Sequence, residues 1–313
     1  FPITHCITCS CLFWLLPELS SLHSTRTTGH PLIFVKSQFA TAYALSHSGE
    51  ALYYPTDPTQ TYAERNTMHN PIKDKLAQGQ ASIGSWLNLA SPMAAEVMAA
   101  AGFEWLVVDA EHSTFDLGHI AHTFRAIEAR GAIPMCRAWD HDPVTAARLL
   151  DAGVWGLVFP HVSTPEQAEK IARAMRYPPR GLRSVGTGRC VTLAEDYRQT
   201  FDDTVLCIPQ IEDMEGINNA EAIASVEGVD IPFLGPGDLA ISMGLQPGHP
   251  DHEAALQIFR EGCVKAGKPY GIPVKDTASA KKRIGEGFQF IDVNNDLRFL
   301  EATAKQMYQE ITI

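Results

Sequence analysis

The chain has 313 residues, 45% hydrophobic and 19% charged, enough apolar material for one large core and no charge run. Its 36 acidic against 25 basic residues give a net charge of −11. That balance disfavours nucleic acid or an anionic membrane surface as a partner, since both reward basic patches, but leaves an anionic small molecule open.

Residues 1–75 differ in pattern from the rest of the chain and read as an N-terminal extension outside the fold, a tail or weak targeting segment. Their apolar run, Cys11-Leu-Phe-Trp-Leu-Leu16, is far short of the ~20 residues that span a bilayer. Cys6, Cys9 and Cys11 admit a metal site, yet no second Cys/His pair follows at zinc spacing. The other four cysteines are scattered, as expected of buried thiols in a reducing, cytoplasmic compartment.

Residues 76–313 carry a βα alternation. Extended apolar runs at Ile83–Leu89, Glu104–Asp109, Ile133–Arg137 and Gly156–His161 predict four strands. Val205–Ile211, Asp230–Gly235, Tyr270–Val274 and Phe288–Val293 predict four more. Most are apolar at every position, which fits strands buried on both faces. Helices fall between them. Ser91 caps an Ala-rich segment that ends at Gly102; Asp142-Pro143 opens another that Gly153 closes; Thr164-Pro165 opens a third. Eight strands alternating with helices predict a (β/α)8 TIM barrel, with a doubly wound open sheet as the alternative. The irregular stretch from Tyr177 to about Asp203 reads as a loop over a site.

Polar groups sit at or just after strand ends, where barrel enzymes do their chemistry: Asp109-Ala-Glu-His112, Arg137, Gln210 with Glu212, and Asp238. Glu212 and Asp238 are hard oxygen ligands suited to Mg²⁺ or Mn²⁺, and Gly235-Pro236-Gly237 lets backbone approach a ligand. The competing reading makes them solvated loop acids, with Asp238 a helix N-cap. His112 is the natural proton carrier near neutral pH, oriented by Asp109 or Asp151, although a lone histidine is more often structural. Arg137 at a barrel mouth suits a substrate carboxylate or a developing oxyanion; on the surface it would only pair with an acid. Lys275 is the Schiff-base alternative, without neighbours that would depress its pKa.

The block Gly102-Phe-Glu-Trp-Leu-Val-Val-Asp-Ala-Glu-His112 resembles the signature of the HpcH/HpaI aldolases, metal-dependent class II pyruvate aldolases. Pro134–Arg137, Leu149–Gly153, Ala174–Arg183, Gln210–Glu212 and Gly235–Leu239 come in the family's order. The resemblance implies a (β/α)8 barrel that assembles into a homohexamer and exchanges its last helix, here Asp296–Tyr308. It implies a divalent metal (Mg²⁺, with Mn²⁺ or Co²⁺ as alternatives) on Glu212 and Asp238, and a 2-keto acid held by Gln210, Gly235, Pro236 and Gly237. His112, made more basic by Asp151, would be the base, and Arg137 would stabilise the oxyanion. The implied activity is a carbon–carbon lyase forming a pyruvate enolate from 2-keto-(4-hydroxy) acids, reversible with an aldehyde.

Departures at Ser184 and in Phe290-Ile-Asp-Val-Asn-Asn-Asp296 put the acceptor in question. Tyr197 resembles the position from which one relative, macrophomate synthase, contacts a pyrone. An oxaloacetate decarboxylase that couples its enolate to another acceptor is therefore an alternative, and a catalytically silent ligand-binding barrel is another.

Overall fold

The structure is a computed structural model that describes residues 68–312 and, of the first 67, four short strands. The chain divides into two compact units, Phe1–Arg65 and Asn66–Ile313. In the first, β1 (Leu22–Thr25), β2 (Leu32–Lys36), β3 (Ala42–Leu45) and β4 (Ala51–Tyr54) pair antiparallel in sequence order. The expectations of a tail and of a Cys6/Cys9/Cys11 metal site otherwise lie outside the described residues.

In the second unit the eight predicted strands all form: β5 (Ser82–Leu87), β6 (Trp105–Asp109), β7 (Ile133–Arg137) and β8 (Gly156–Phe159), then β9 (Leu206–Ile211), β10 (Phe233–Leu234), β11 (Gly271–Val274) and β12 (Phe290–Asn295). They are parallel and close in chain order, β12 pairing with β5, so the open-sheet alternative falls. The caps act as read: Ser91 accepts from Ala94 N–H, Asp142 from Val144 N–H, and Thr164 forms a capping box with Gln167. Each of these helices has proline at its start, where no intrahelical N–H is needed. Among the described residues, no helix is long and apolar enough to cross a membrane.

Two apolar layers result from strand alternation. Outward residues such as Leu106, Val108, Leu157 and Ile211 pack against the surrounding helices. Inward residues, among them Trp105, Val107, Met135, Val158, Ile208 and Phe290, fill the lower barrel. Trp105 and Phe290 stack there with centroids 3.9 Å apart. A Cβ on Gly84 would lie 2.0 Å from the Trp105 indole, so the missing side chain is what lets this ring inside.

Two expectations need correction. The boundary near residue 75 cuts through the helix Pro71–Ala77, which is capped by Asn70 and buries Ile72 and Leu76 against the inner layer. It closes the N-terminal end of the barrel, where Asn70 also donates to the Thr204 carbonyl. The stretch from Tyr177 to Asp203 is likewise no lid over the strand ends. It joins the end of helix Pro165–Met175 to the start of β9, and such αβ connections lie at the N-terminal face. It contains a 3₁₀ turn, Arg189–Thr192, and the helix Tyr197–Thr204.

Candidate active site

At the opposite end, inward alternation continues past the apolar layer and brings polar residues to the strand termini. Asp109 ends β6 and Arg137 ends β7, paired directly across the ladder. Asp109 is fully buried and accepts from Arg137 Nε at 2.9 Å and from a terminal guanidinium nitrogen at 2.7 Å. It also accepts from Asn88 Nδ2 at 2.6 Å and from the backbone N–H groups of Glu111 and His112 at 3.2 Å. Asp109 is therefore the clamp on Arg137 and does not orient the His112 ring. Glu111 adds an ion pair to the guanidinium at 3.0 Å, and Trp86 lies 5.7 Å from it on another side. Burial pulls the Arg137 pKa down, but the bonds to Asp109 and the charges of Asp109, Glu111 and Glu212 outweigh it and raise the value.

Glu212 follows β9 with its side chain only 2% exposed. One carboxylate oxygen accepts from His161 N–H at 2.7 Å, the other from Gln210 Nε2 at 2.5 Å. Burial raises its pKa against the pull of those bonds, and the nearby Asp238 charge raises it further. Asp238 stands exposed in the first turn of helix Pro236–Ser242, whose N-cap, Gly235, forms no side-chain cap bond. N-capping thus does not account for Asp238. A Cβ on Gly235 would meet Glu212 Oε2 at 2.5 Å, so glycine is required for the carboxylate to lie where it does. Buried His252 bonds the Pro236 carbonyl at 2.8 Å and fixes this turn.

These groups surround a cavity of about 280 Å³ whose lining includes Trp86, His112, Arg137, Gln210, Gly237 and Asp238. Its donor set fits a hard divalent cation. Two carboxylates of adjacent strand ends lie close enough to raise the Glu212 pKa, and the Gln210 carbonyl oxygen is buried without a partner. Among the described residues no group of three or more His, Cys, Asp or Glu gathers as a self-sufficient cage. Mg²⁺ needs none, because it is commonly held by one or two carboxylates, with water and substrate completing the shell.

The cavity lining brings together His112, Arg137, Gln210, Gly235, Pro236, Gly237 and Asp238, with Glu212 behind them. It does not include Asp151 or Tyr197. Asp151 is the last residue of helix Pro143–Asp151, which runs back to the N-terminal face, and its carboxylate holds Arg183 at 2.8 Å. The Tyr197 hydroxyl accepts from that same Arg183 at 3.0 Å, and the buried guanidinium is also ringed by Tyr177 and Phe201. Neither residue reaches His112 or the cavity within this chain. Lys275 is exposed and is not among the residues lining the cavity.

Three residues gain a place that the sequence did not give them. Glu111 was visible inside its block, but only the fold shows its pair with Arg137. His161, at φ 55° after β8, spans Glu111 at 3.3 Å and Glu212 at 3.1 Å. Asp292 lines the cavity from β12, and a carboxylate two residues beyond the inward Phe290 was its signal.

The family model described as HpcH/HpaI aldolase/citrate lyase matches residues 82–301. The hydroxypyruvate/pyruvate aldolase of Cupriavidus necator is 38% identical over 245 residues, covering 76% of this chain and 91% of that protein. A solved HpcH/HpaI aldolase/citrate lyase family protein from Burkholderia cenocepacia superposes with a TM-score of 0.75 at 36% identity, covering 78% of this chain and all of that one. Macrophomate synthase superposes at 0.69 with 25% identity, over 80% and 95% of the two chains.

Proposed function

Because this chain belongs to the HpcH/HpaI aldolase/citrate lyase family and is a carbon–carbon lyase of the aldolase type, we propose that it uses a divalent metal, Mg²⁺ first, to cleave 2-keto-4-hydroxy acids to pyruvate and an aldehyde. The observation that carries this reading is the convergence of Arg137, Gln210, Glu212, Asp238 and His112 on one strand-end cavity.

Glu212 and Asp238 would hold the cation, which supplies Lewis acidity toward the carboxylate and keto oxygens of the substrate. Arg137 presents a fixed positive charge to the keto oxygen. Its clamp of Asp109 and Glu111 means little reorganisation is needed as negative charge develops there. His112, its ring 64% exposed at the mouth, takes the proton from the C4 hydroxyl. The C3–C4 bond then breaks, its electron pair passes to the keto oxygen as an enolate, and a proton returned to C3 gives pyruvate. Gln210 and the backbone at Gly235-Pro236-Gly237 position the keto acid.

The pyrone-coupling alternative lacks support, because Tyr197 is committed to Arg183 at the other face. Assembly into a homo-oligomer is part of the proposal. Leu300, Met307, Tyr308 and Ile311 on the final helix are all more than half exposed, which supports an exchange of that helix between copies.

The test is pyruvate release from oxaloacetate and from 2-keto-4-hydroxy acids, with EDTA and after Mg²⁺ or Mn²⁺ is restored. Activity should vanish with chelator and return with metal, and Glu212→Ala should abolish it. Activity indifferent to EDTA would overturn the metal assignment.

A further inference from the structure

Among the described residues, Asp292 is a buried carboxyl at the cavity whose side chain makes no hydrogen bond. Asp109 is saturated by Arg137, Asn88 and two backbone N–H groups, and the Gln210 amide nitrogen is engaged by Glu212, its carbonyl oxygen being left for the proposed cation. The Asp292 side chain makes no hydrogen bond or ion pair among the described residues, and its Oδ1 is buried outright. It lies one inward position above Phe290, at the floor of the cavity and just over the apolar plug. Around the closed barrel, β12 is three strands from β7, which carries Arg137, and three from β9, which carries Gln210. Asp292 thus faces that pair from across the cavity.

A buried polar group without a partner is costly, and such a group persists where a ligand completes it. With a 2-keto acid seated as proposed, its carboxylate and keto oxygens would be taken by Arg137, Gln210 and the cation that Glu212 and Asp238 would hold. The donor carbon C3 is what remains for the facing wall. A C3 methyl, as in pyruvate, offers Asp292 nothing. A C3 hydroxyl offers both a donor and an acceptor. We propose that Asp292 is a specificity residue that hydrogen-bonds the C3 hydroxyl of a 3-hydroxy-2-keto acid donor, so that the site prefers hydroxypyruvate to pyruvate. Burial raises the Asp292 carboxyl above the usual carboxylate range, against a smaller pull from Arg137, which favours the neutral form, and a neutral carboxyl donates as well as accepts.

The inference rests on the keto-acid reading of the site and is tested by binding rather than turnover. Calorimetric titration of the Mg²⁺-loaded full chain with hydroxypyruvate and with pyruvate, in the absence of aldehyde, gives the ratio of the two dissociation constants. The wild type should favour hydroxypyruvate by at least about threefold, and Asp292→Ala should shift the ratio roughly tenfold toward pyruvate. Asp292→Asn, which still donates and accepts in the same shape, should stay within about threefold of the wild-type ratio. It also guards against a folding defect in the alanine variant. A ratio that is the same in wild type and Asp292→Ala overturns the assignment, as does a wild type without preference. If neither keto acid binds, the keto-acid reading itself falls and takes this inference with it. If pyruvate binds and the ratio does not move, only the role of Asp292 is lost.

Discussion

Replacing Asp109 by asparagine should cost both stability and activity, because one buried carboxylate fixes the guanidinium that the site depends on. The Asp109 side chain is 1% exposed and that of Arg137 11% exposed, so water can do little to replace a lost partner. Asparagine keeps the shape but turns an NH₂ toward one guanidinium N–H, so one of the two bonds at 2.9 and 2.7 Å is lost along with the charge. Breaking a buried pair in this way costs about 3–5 kcal/mol. In a unit of this size that is a fall of roughly 6–20 °C in Tm. Arg137 would no longer be held against the keto oxygen, and a misplacement of ~1 Å costs about 100-fold in rate. Thermal unfolding and kcat/KM measured on the same preparation check both effects. A cycle with Arg137→Met should give a coupling of about 1–3 kcal/mol. A stability loss under about 0.5 kcal/mol, the size of an ordinary surface change, would refute the clamp.

Further expectations bear on separate parts of the chain. Gly235→Ala places a methyl against Glu212 Oε2 and should lower metal-dependent kcat/KM about 100-fold while circular dichroism stays unchanged. Tyr197→Phe should keep kcat/KM within about twofold, since the ring is remote from the cavity, yet lose about 1–3 kcal/mol on denaturant unfolding because buried Arg183 is left short of an acceptor. Asp292 has a raised pKa in the folded state, so between its unfolded value near ~3.9 and that higher value the native protein binds more protons than the unfolded chain. Stability must then fall as pH rises through that window. Asp292→Asn removes the term, and its stability relative to wild type should grow from about pH 4 upward; urea titrations at several pH values would show a flat difference if the carboxyl were solvated.

The barrel was legible because strands buried on both faces leave continuous apolar runs, and the helix starts because Ser91, Asp142 and Thr164 precede prolines. The polar end of the barrel was legible because polar residues interrupt those runs where strands stop, at Asp109, Arg137 and Glu212. Asp151 and Tyr197 lie away from the cavity of their own chain for one shared reason. Resemblance carries over a residue's type but not the end of the barrel it occupies, and helices return the chain to the face opposite the strand ends. Asp151 as the last residue of its helix already held that information. The pairings of His161 with Glu111 and Glu212 were hidden, since they depend on barrel closure and on a left-handed backbone at residue 161. Asp292 had a signal in its spacing of two from the inward Phe290, but that spacing does not by itself separate a carboxyl facing a cavity from one facing solvent.

The stack of Trp105 on Phe290, admitted by Gly84, has a kinetic consequence. It seals the barrel beneath the reaction chamber, with Ile72 and Leu76 closing the far end. The chamber is a blind alley with one door. If the proposed cleavage takes place there, both fragments would leave the way the substrate came in, and the one held deeper would wait for the one nearer the mouth. On the proposed reaction, departure should therefore be ordered: the aldehyde first and the keto acid last, and in the synthetic direction the keto acid should be seated before the aldehyde enters. The expected inhibition pattern is a keto acid that competes with fresh substrate for the empty chamber and an aldehyde that meets only a chamber already half filled.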